Sequence, residues 1–289
     1  MDDILLNPKT RDSLVALVKT TPHAILLSGP VGSGKTYLAT RLAEEMLGID
    51  HGSISNYPYY FALRPEKGLI GIDAVRQLQT FLQLRTIGKT RAIRRVAIIE
   101  NTHLMSHEAQ NALLKHLEEP PSDTVIILTA VQSQNILSTI YSRVQHVIVR
   151  PPSLPETIAY FETLAPGSKI KKAYMLSAGA VGLLQAFLNS DNQHPLLASI
   201  DQAKIILRQT TYQRLTQVDL YTKDKTAQSE LLNALKQVAK AGVAQATTRD
   251  DIAIARRWHG VLKHVVAAEK LQSQNVNPKL LMTDLFLAL

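Results

Sequence analysis

The chain has 289 residues, 45% hydrophobic, 19% charged and 5% aromatic, a mix that excludes a disordered protein and suits two or three helix-rich domains. It contains no cysteine, which excludes disulfides, thiolate metal sites and cysteine nucleophiles. A formal net charge of +8 favours an anionic partner, a signal shared with many basic proteins that bind no nucleic acid.

The opening MDDILLNPKT lacks the charged-then-apolar order of a signal peptide. No apolar run approaches the ~20 residues that a membrane span needs, so the expectation is a cytoplasmic protein with no membrane partner. Short apolar runs at 24–28 (AILLS), 59–63 (YYFAL), 95–99 (RVAII), 124–128 (TVIIL) and 146–149 (HVIV) read as buried parallel strands. Helical patterns at 35–47, 72–85 and 107–119 lie between them, and this alternation predicts an α/β sheet covered on both faces. RPPSLPE at 150–156 carries three prolines and ends the alternation, which places a domain boundary near 150. Beyond it the pattern is helical, broken at APGS (165–168) and DNQHP (191–195).

GPVGSGKT at 29–36 follows the first strand and opens the first long helix, the context in which G-x-x-x-x-G-K-[ST] is a phosphate loop. Gly29, Gly32, Ser33 and Gly34 supply a backbone whose N–H groups point at phosphate oxygens. Lys35 reaches the β and γ phosphates, and Thr36 offers its hydroxyl to magnesium. ATP and Mg2+ are the expected cofactors. The alternative is a glycine-rich turn that binds nothing.

Residues 98–105 read IIENTHLM, where P-loop ATPases present a carboxylate for magnesium and often a second one for the attacking water. Glu100 keeps the first. Asn101 replaces the second, and an amide positions water without accepting its proton, a loss worth ~10²–10⁴ in rate.

PHAILLSGPVGSGKT, NALLKHLEEPPSDTVIILTA, ILSTIYSRVQ and NVNPKLLMTDLFLAL together resemble the AAA+ clamp-loader subunits of bacterial DNA polymerase III, with the delta-prime branch fitting best. The resemblance implies an AAA+ P-loop core with a five-stranded parallel sheet (1–150), a small helical lid (151–195) and a C-terminal all-helical collar (196–289) that joins subunits into a heteropentamer. It also implies partners: gamma/tau-like motor subunits, a delta-like subunit, the sliding clamp and primed DNA. In YSRVQ, Arg143 matches the family's Ser-Arg-Cys element, with Val144 in place of cysteine, and is expected to act as an arginine finger in a neighbour's ATP site, a role worth ~10³–10⁵ in rate.

Several positions depart from the family pattern. Ala130 and Val131 stand where polar γ-phosphate sensors usually do, with Thr129 offset by one, and Gly182 and Leu183 stand where a lid arginine is expected. The reading is a subunit that binds ATP with weak hydrolysis of its own; the rival is a self-sufficient AAA+ ATPase, such as a motor subunit or a helicase-loading factor. The four-cysteine zinc module usual in bacterial members is absent from LGIDHGSISNYPYY, so no zinc is expected there. Lys89, Arg91, Arg94 and Arg95 form a basic turn, read as solvated surface or as a contact for DNA or another partner. His103 and His107, four apart, read as surface histidines rather than metal ligands.

Overall fold

The computed structural model describes residues 3–66, 68–86, 92–131, 135–189, 195–274 and 276–289. Cα packing divides the chain into two compact units, Met1–Ser153 and Leu154–Leu289. The break at 191–194 and two of the basic-turn residues, Lys89 and Arg91, lie outside the described residues.

In the first unit the strands are β1 (Ala24–Ser28), β2 (Tyr60–Leu63), β3 (Arg95–Ile99), β4 (Thr124–Ala130) and β5 (Gln145–Ile148). They form one sheet in the order β2-β3-β4-β1-β5 with every pairing parallel. The helices are α1 (Pro8–Thr20), α2 (Lys35–Leu47), α3 (Ile72–Gln83), α4 (His107–Glu118) and the short α5 (Ser138–Tyr141).

Strand side chains alternate between faces, and the central strands are buried at every position and mostly apolar because both faces are covered. Ile25, Leu27, Val96, Ile98 and Ile127 meet Leu14, Leu17, Leu38 and Leu42 of α1 and α2. Leu26, Ala97, Ile99 and Leu128 meet Val75, Leu78, Leu113 and Leu117 of α3 and α4. Because all strands run the same way, the segments after β1, β3 and β4 emerge at one edge, where open α/β sheets bind ligands.

Arg95 corrects the reading of the basic turn as solvated. It begins β3 on the same face as Ala97 and Ile99, is 2% exposed, and donates to the carbonyls of Leu82 and Leu84 at the end of α3. Its guanidinium lies 5.6 Å from the centre of the Phe81 ring. Burying this charge is offset by the orphan carbonyls at a helix C-terminus, the negative end of its dipole. Arg94 pairs with Asp123 at 3.3 Å.

The second unit is helical: α6 (Leu154–Phe161), α7 (Gly167–Ser177), α8 (Val181–Asn189), α9 (Pro195–Arg208), α10 (Thr211–Leu215), α11 (Val218–Thr222), α12 (Lys225–Thr248), α13 (Ile252–Ser273) and α14 (Pro278–Ala288). α12 and α13 form its central pair, α7 and α9 pack on α12, and α14 packs on α11 and α13. Buried Arg214 fixes the last helix by donating to Phe286 O at 3.1 Å. No described helix is long and apolar enough to cross a membrane.

Gln110 is the buried polar hub of the first unit. At 2% exposure its amide donates to Met105 O (3.3 Å) and Asn135 O (2.8 Å) and accepts from Leu137 N (2.8 Å), tying α4 to the segment that leads into α5. Gln110→Leu keeps the volume and strands three backbone groups, so urea unfolding is expected to show a loss of about 2 kcal/mol.

Candidate nucleotide site

The loop between β1 and α2 is shaped by glycines at three positions. Gly32 (φ 76°) and Gly34 (φ 80°) adopt left-handed backbone that side-chain-bearing residues avoid. Gly29 is required for space instead, since a Cβ there would lie 2.7 Å from the carbonyl oxygen of Val149. Gly29 N also donates to Ala130 O at 3.2 Å, fastening the loop to the end of β4. Ser33 is buried, and Thr36 is exposed on the first turn of α2.

Lys35 is 7% exposed and folds back over this loop. Its Nζ donates to Pro30 O (2.7 Å), Gly29 O (3.1 Å) and Ser33 Oγ (3.5 Å). Burial penalises the ammonium and lowers its pKa to about 8. The loop therefore encloses one cation beside the positive end of the α2 dipole, an arrangement that suits a polyphosphate. The residues present thus fit ATP.

Glu100 leaves the end of β3 beside β2, and its carboxylate is held by Arg64, with Nε to Oε1 at 2.8 Å. A magnesium ion at Glu100 would share that oxygen with Arg64 or displace it. Asn101 follows in left-handed backbone (φ 55°), a conformation that asparagine tolerates better than most residues. Its N–H donates to Thr129 Oγ1 at 3.0 Å, so buried Thr129 locks the turn that carries Asn101. The Asn101 side chain therefore springs from a strained turn, a local reason for the residue type that the sequence did not disclose.

His103 is the site residue that the sequence reading missed. It lies in the 3-10 turn Thr102–Leu104, and its Nδ1 accepts from Val131 N at 3.3 Å. A backbone N–H only donates, so the neutral ring carries its hydrogen on Nε2. Burial, and then the Lys35 ammonium, lower its pKa. The imidazole thus belongs to the phosphate-loop edge. His107, by contrast, is exposed at the first position of α4, which Ser106 caps by accepting from Ala109 N.

Arg143 stands just after α5. Its Nε donates to Glu118 Oε1 at 2.9 Å, and one terminal nitrogen donates to Thr139 O (3.0 Å) and Ser142 Oγ (3.1 Å). The side chain is one-third exposed and held in a fixed direction on the surface of its own unit. In the second unit, Leu183 is buried in α8 and Gly182 is exposed beside it. Tyr57 and Tyr60 pack, partly buried, against the core of the first unit.

Residues 14–153 match the family model described as DNA polymerase III, delta subunit. The first unit of the chain is thus similar to the clamp-loader subunits of DNA polymerase III. It is 34% identical over 181 residues to DNA polymerase III subunit delta' of Pseudomonas aeruginosa, covering 55% of this chain and 53% of that protein. It is 29% identical over 189 residues to subunit delta' of Escherichia coli K12, covering 59% of this chain and 55% of that one. The chain thus spans about half the length of these curated relatives. A DNA polymerase III gamma-subunit-related protein of Thermotoga maritima superposes with a TM-score of 0.51 at 19% identity, covering 96% of this chain and 98% of that one, a shared fold. The matched segment covers the phosphate loop, Glu100, Asn101 and Arg143 alike.

The buried ammonium has a pH signature. Between about pH 8 and the ordinary lysine value of 10.5, the unfolded chain holds more protons than the folded one. This group therefore makes the fold more stable as pH rises through that window. NMR titration of the Lys35 side chain should give a midpoint near 8, and Lys35→Met should flatten the dependence of stability on pH above 8.

Proposed function

We propose that this chain is a delta-prime-like clamp-loader subunit that holds ATP with magnesium, hydrolyses it slowly or not at all, and contributes Arg143 to a neighbour's hydrolysis. The observation that carries this reading is a complete phosphate loop beside a turn that bears Asn101 in place of a base. Lys35 and the loop N–H groups would bind the phosphates. Thr36, with Glu100 once released from Arg64, would hold magnesium, which supplies charge neutralisation at the β and γ phosphates. Asn101 and Thr129 would orient a water and leave its proton without an acceptor, so turnover is slow.

In this reading the chain sits in a heteropentamer with gamma/tau-like motor subunits and a delta-like subunit, and helps load the sliding clamp onto primed DNA in the cytoplasm. Residues 151–195 would serve as the lid and 196–289 as the collar. Arg143 supports the finger role because α5 and Glu118 pre-order it, so little side-chain entropy remains to be lost when a neighbour's phosphate takes Glu118's place.

The test is DNA-stimulated ATP hydrolysis by a loader rebuilt from its motor subunits with this chain carrying Arg143 or Arg143→Ala. The alanine is expected to lower the rate at the adjoining site about 10³-fold, with the complex intact by gel filtration. An unchanged rate would remove the finger. Lys35→Ala is expected to abolish binding of a fluorescent ATP analogue to the isolated chain; rapid turnover by the unaltered isolated chain would favour the self-sufficient ATPase.

A further inference from the structure

The second unit contains a cavity of about 1040 Å³, open to solvent, between α7, α9, α12 and α13. Six cationic residues line it: Lys171 and Lys172 from α7, Lys204 and Arg208 from α9, Arg249 just after α12, and Arg257 from α13. No Asp or Glu is among its described lining residues. Lys204 is paired with Asp201 at 2.7 Å; the other five form no salt bridge among the described residues. Sixteen Lys and Arg against eleven Asp and Glu give residues 154–289 a formal charge of +5, and these cations gather much of it on one concavity.

The floor is apolar. Met175, Leu207, Val238 and Val261 contribute to it beside Trp258, the one tryptophan of the chain. Trp258 lies so close to α12 that a Cβ on Gly242 would sit 2.4 Å from the indole, so the glycine is what lets α13 bring the ring into this wall. A cationic rim over an aliphatic floor calls for a ligand with negative charge and apolar side chains together. The space exceeds what a small metabolite fills. A single-stranded nucleic acid would present successive bases, and the floor offers one indole and otherwise aliphatic side chains, a poor stacking platform.

We infer that this groove is a docking site for an acidic, amphipathic peptide segment of a partner protein, its apolar side chains against Trp258 and its carboxylates on the six cations. Arg208, Arg249 and Arg257 would take carboxylates in bidentate fashion, and Lys171 and Lys172 would steer the approach. This site is independent of the phosphate loop and of the proposed ATP chemistry.

The test uses the full chain and a fluorescein-labelled 20-residue peptide with Leu at i, i+3, i+4 and i+7 and Glu elsewhere. A matched peptide with Lys for every Glu and a 20-nucleotide oligothymidylate serve as comparisons. Anisotropy should show the acidic peptide bound at least tenfold more tightly than either comparison, with a shift in Trp258 emission. Lys171→Glu with Arg257→Glu, both exposed positions, should weaken it tenfold or more while the melting temperature holds. Four results would each overturn the proposal: no saturable peptide binding, binding indifferent to the charge reversal, tighter binding of the oligonucleotide with the same sensitivity, or self-association of the chain that the reversal abolishes.

Discussion

The Lys35 ammonium sits among carbonyl oxygens at the C-terminal edge of a parallel sheet, and the rest of the first unit is arranged to make that tolerable. Burial lowers its pKa to about 8, so the loop holds a cation whose charged form the surroundings disfavour. A polyphosphate would answer that charge more fully than the carbonyls do. Gly29, Gly32 and Gly34 allow the backbone to close on it, and the parallel strands bring Glu100, Asn101 and Thr129 to the same edge. The loop thus offers a cation and backbone N–H groups suited to phosphate, and the side chains relevant to hydrolysis stand around it.

Those side chains are already engaged. Arg64 occupies Glu100, Thr129 accepts the Asn101 N–H, and Val131 fixes the His103 tautomer. Asn101 suits its left-handed turn better than glutamate would, so exchanging one for the other changes backbone preference as well as chemistry. Both facts favour the proposed binding without rapid turnover, and Arg143 is held by Glu118 on the unit's surface.

Much of this was legible in the sequence. Each predicted strand lies within two residues of its place, because runs such as AILLS and TVIIL are buried on both faces and leave no polar alternation to mislead. The phosphate loop followed from spacing and context. Arg95 misled because a run of cations describes composition, not direction; its parity with Ala97 and Ile99 was the available signal that it points inward. His103 and Gln110 carried little local signal beyond the place of Gln110 on the buried face of α4. Their distant partners, Val131, Asn135 and Leu137, lie 25 to 28 residues along the chain, in the segment that follows β4. The groove in the second unit was hidden for the same reason, its cations being spread over three helices and the turn after α12.

The central claim is retention without turnover, and it is tested most directly by a single-turnover measurement. The isolated chain is loaded with radiolabelled ATP and magnesium, freed of excess nucleotide, and followed for ADP. The account predicts that ATP stays bound and is released unchanged over many minutes. Rapid conversion to ADP, or no retained nucleotide at all, would contradict it.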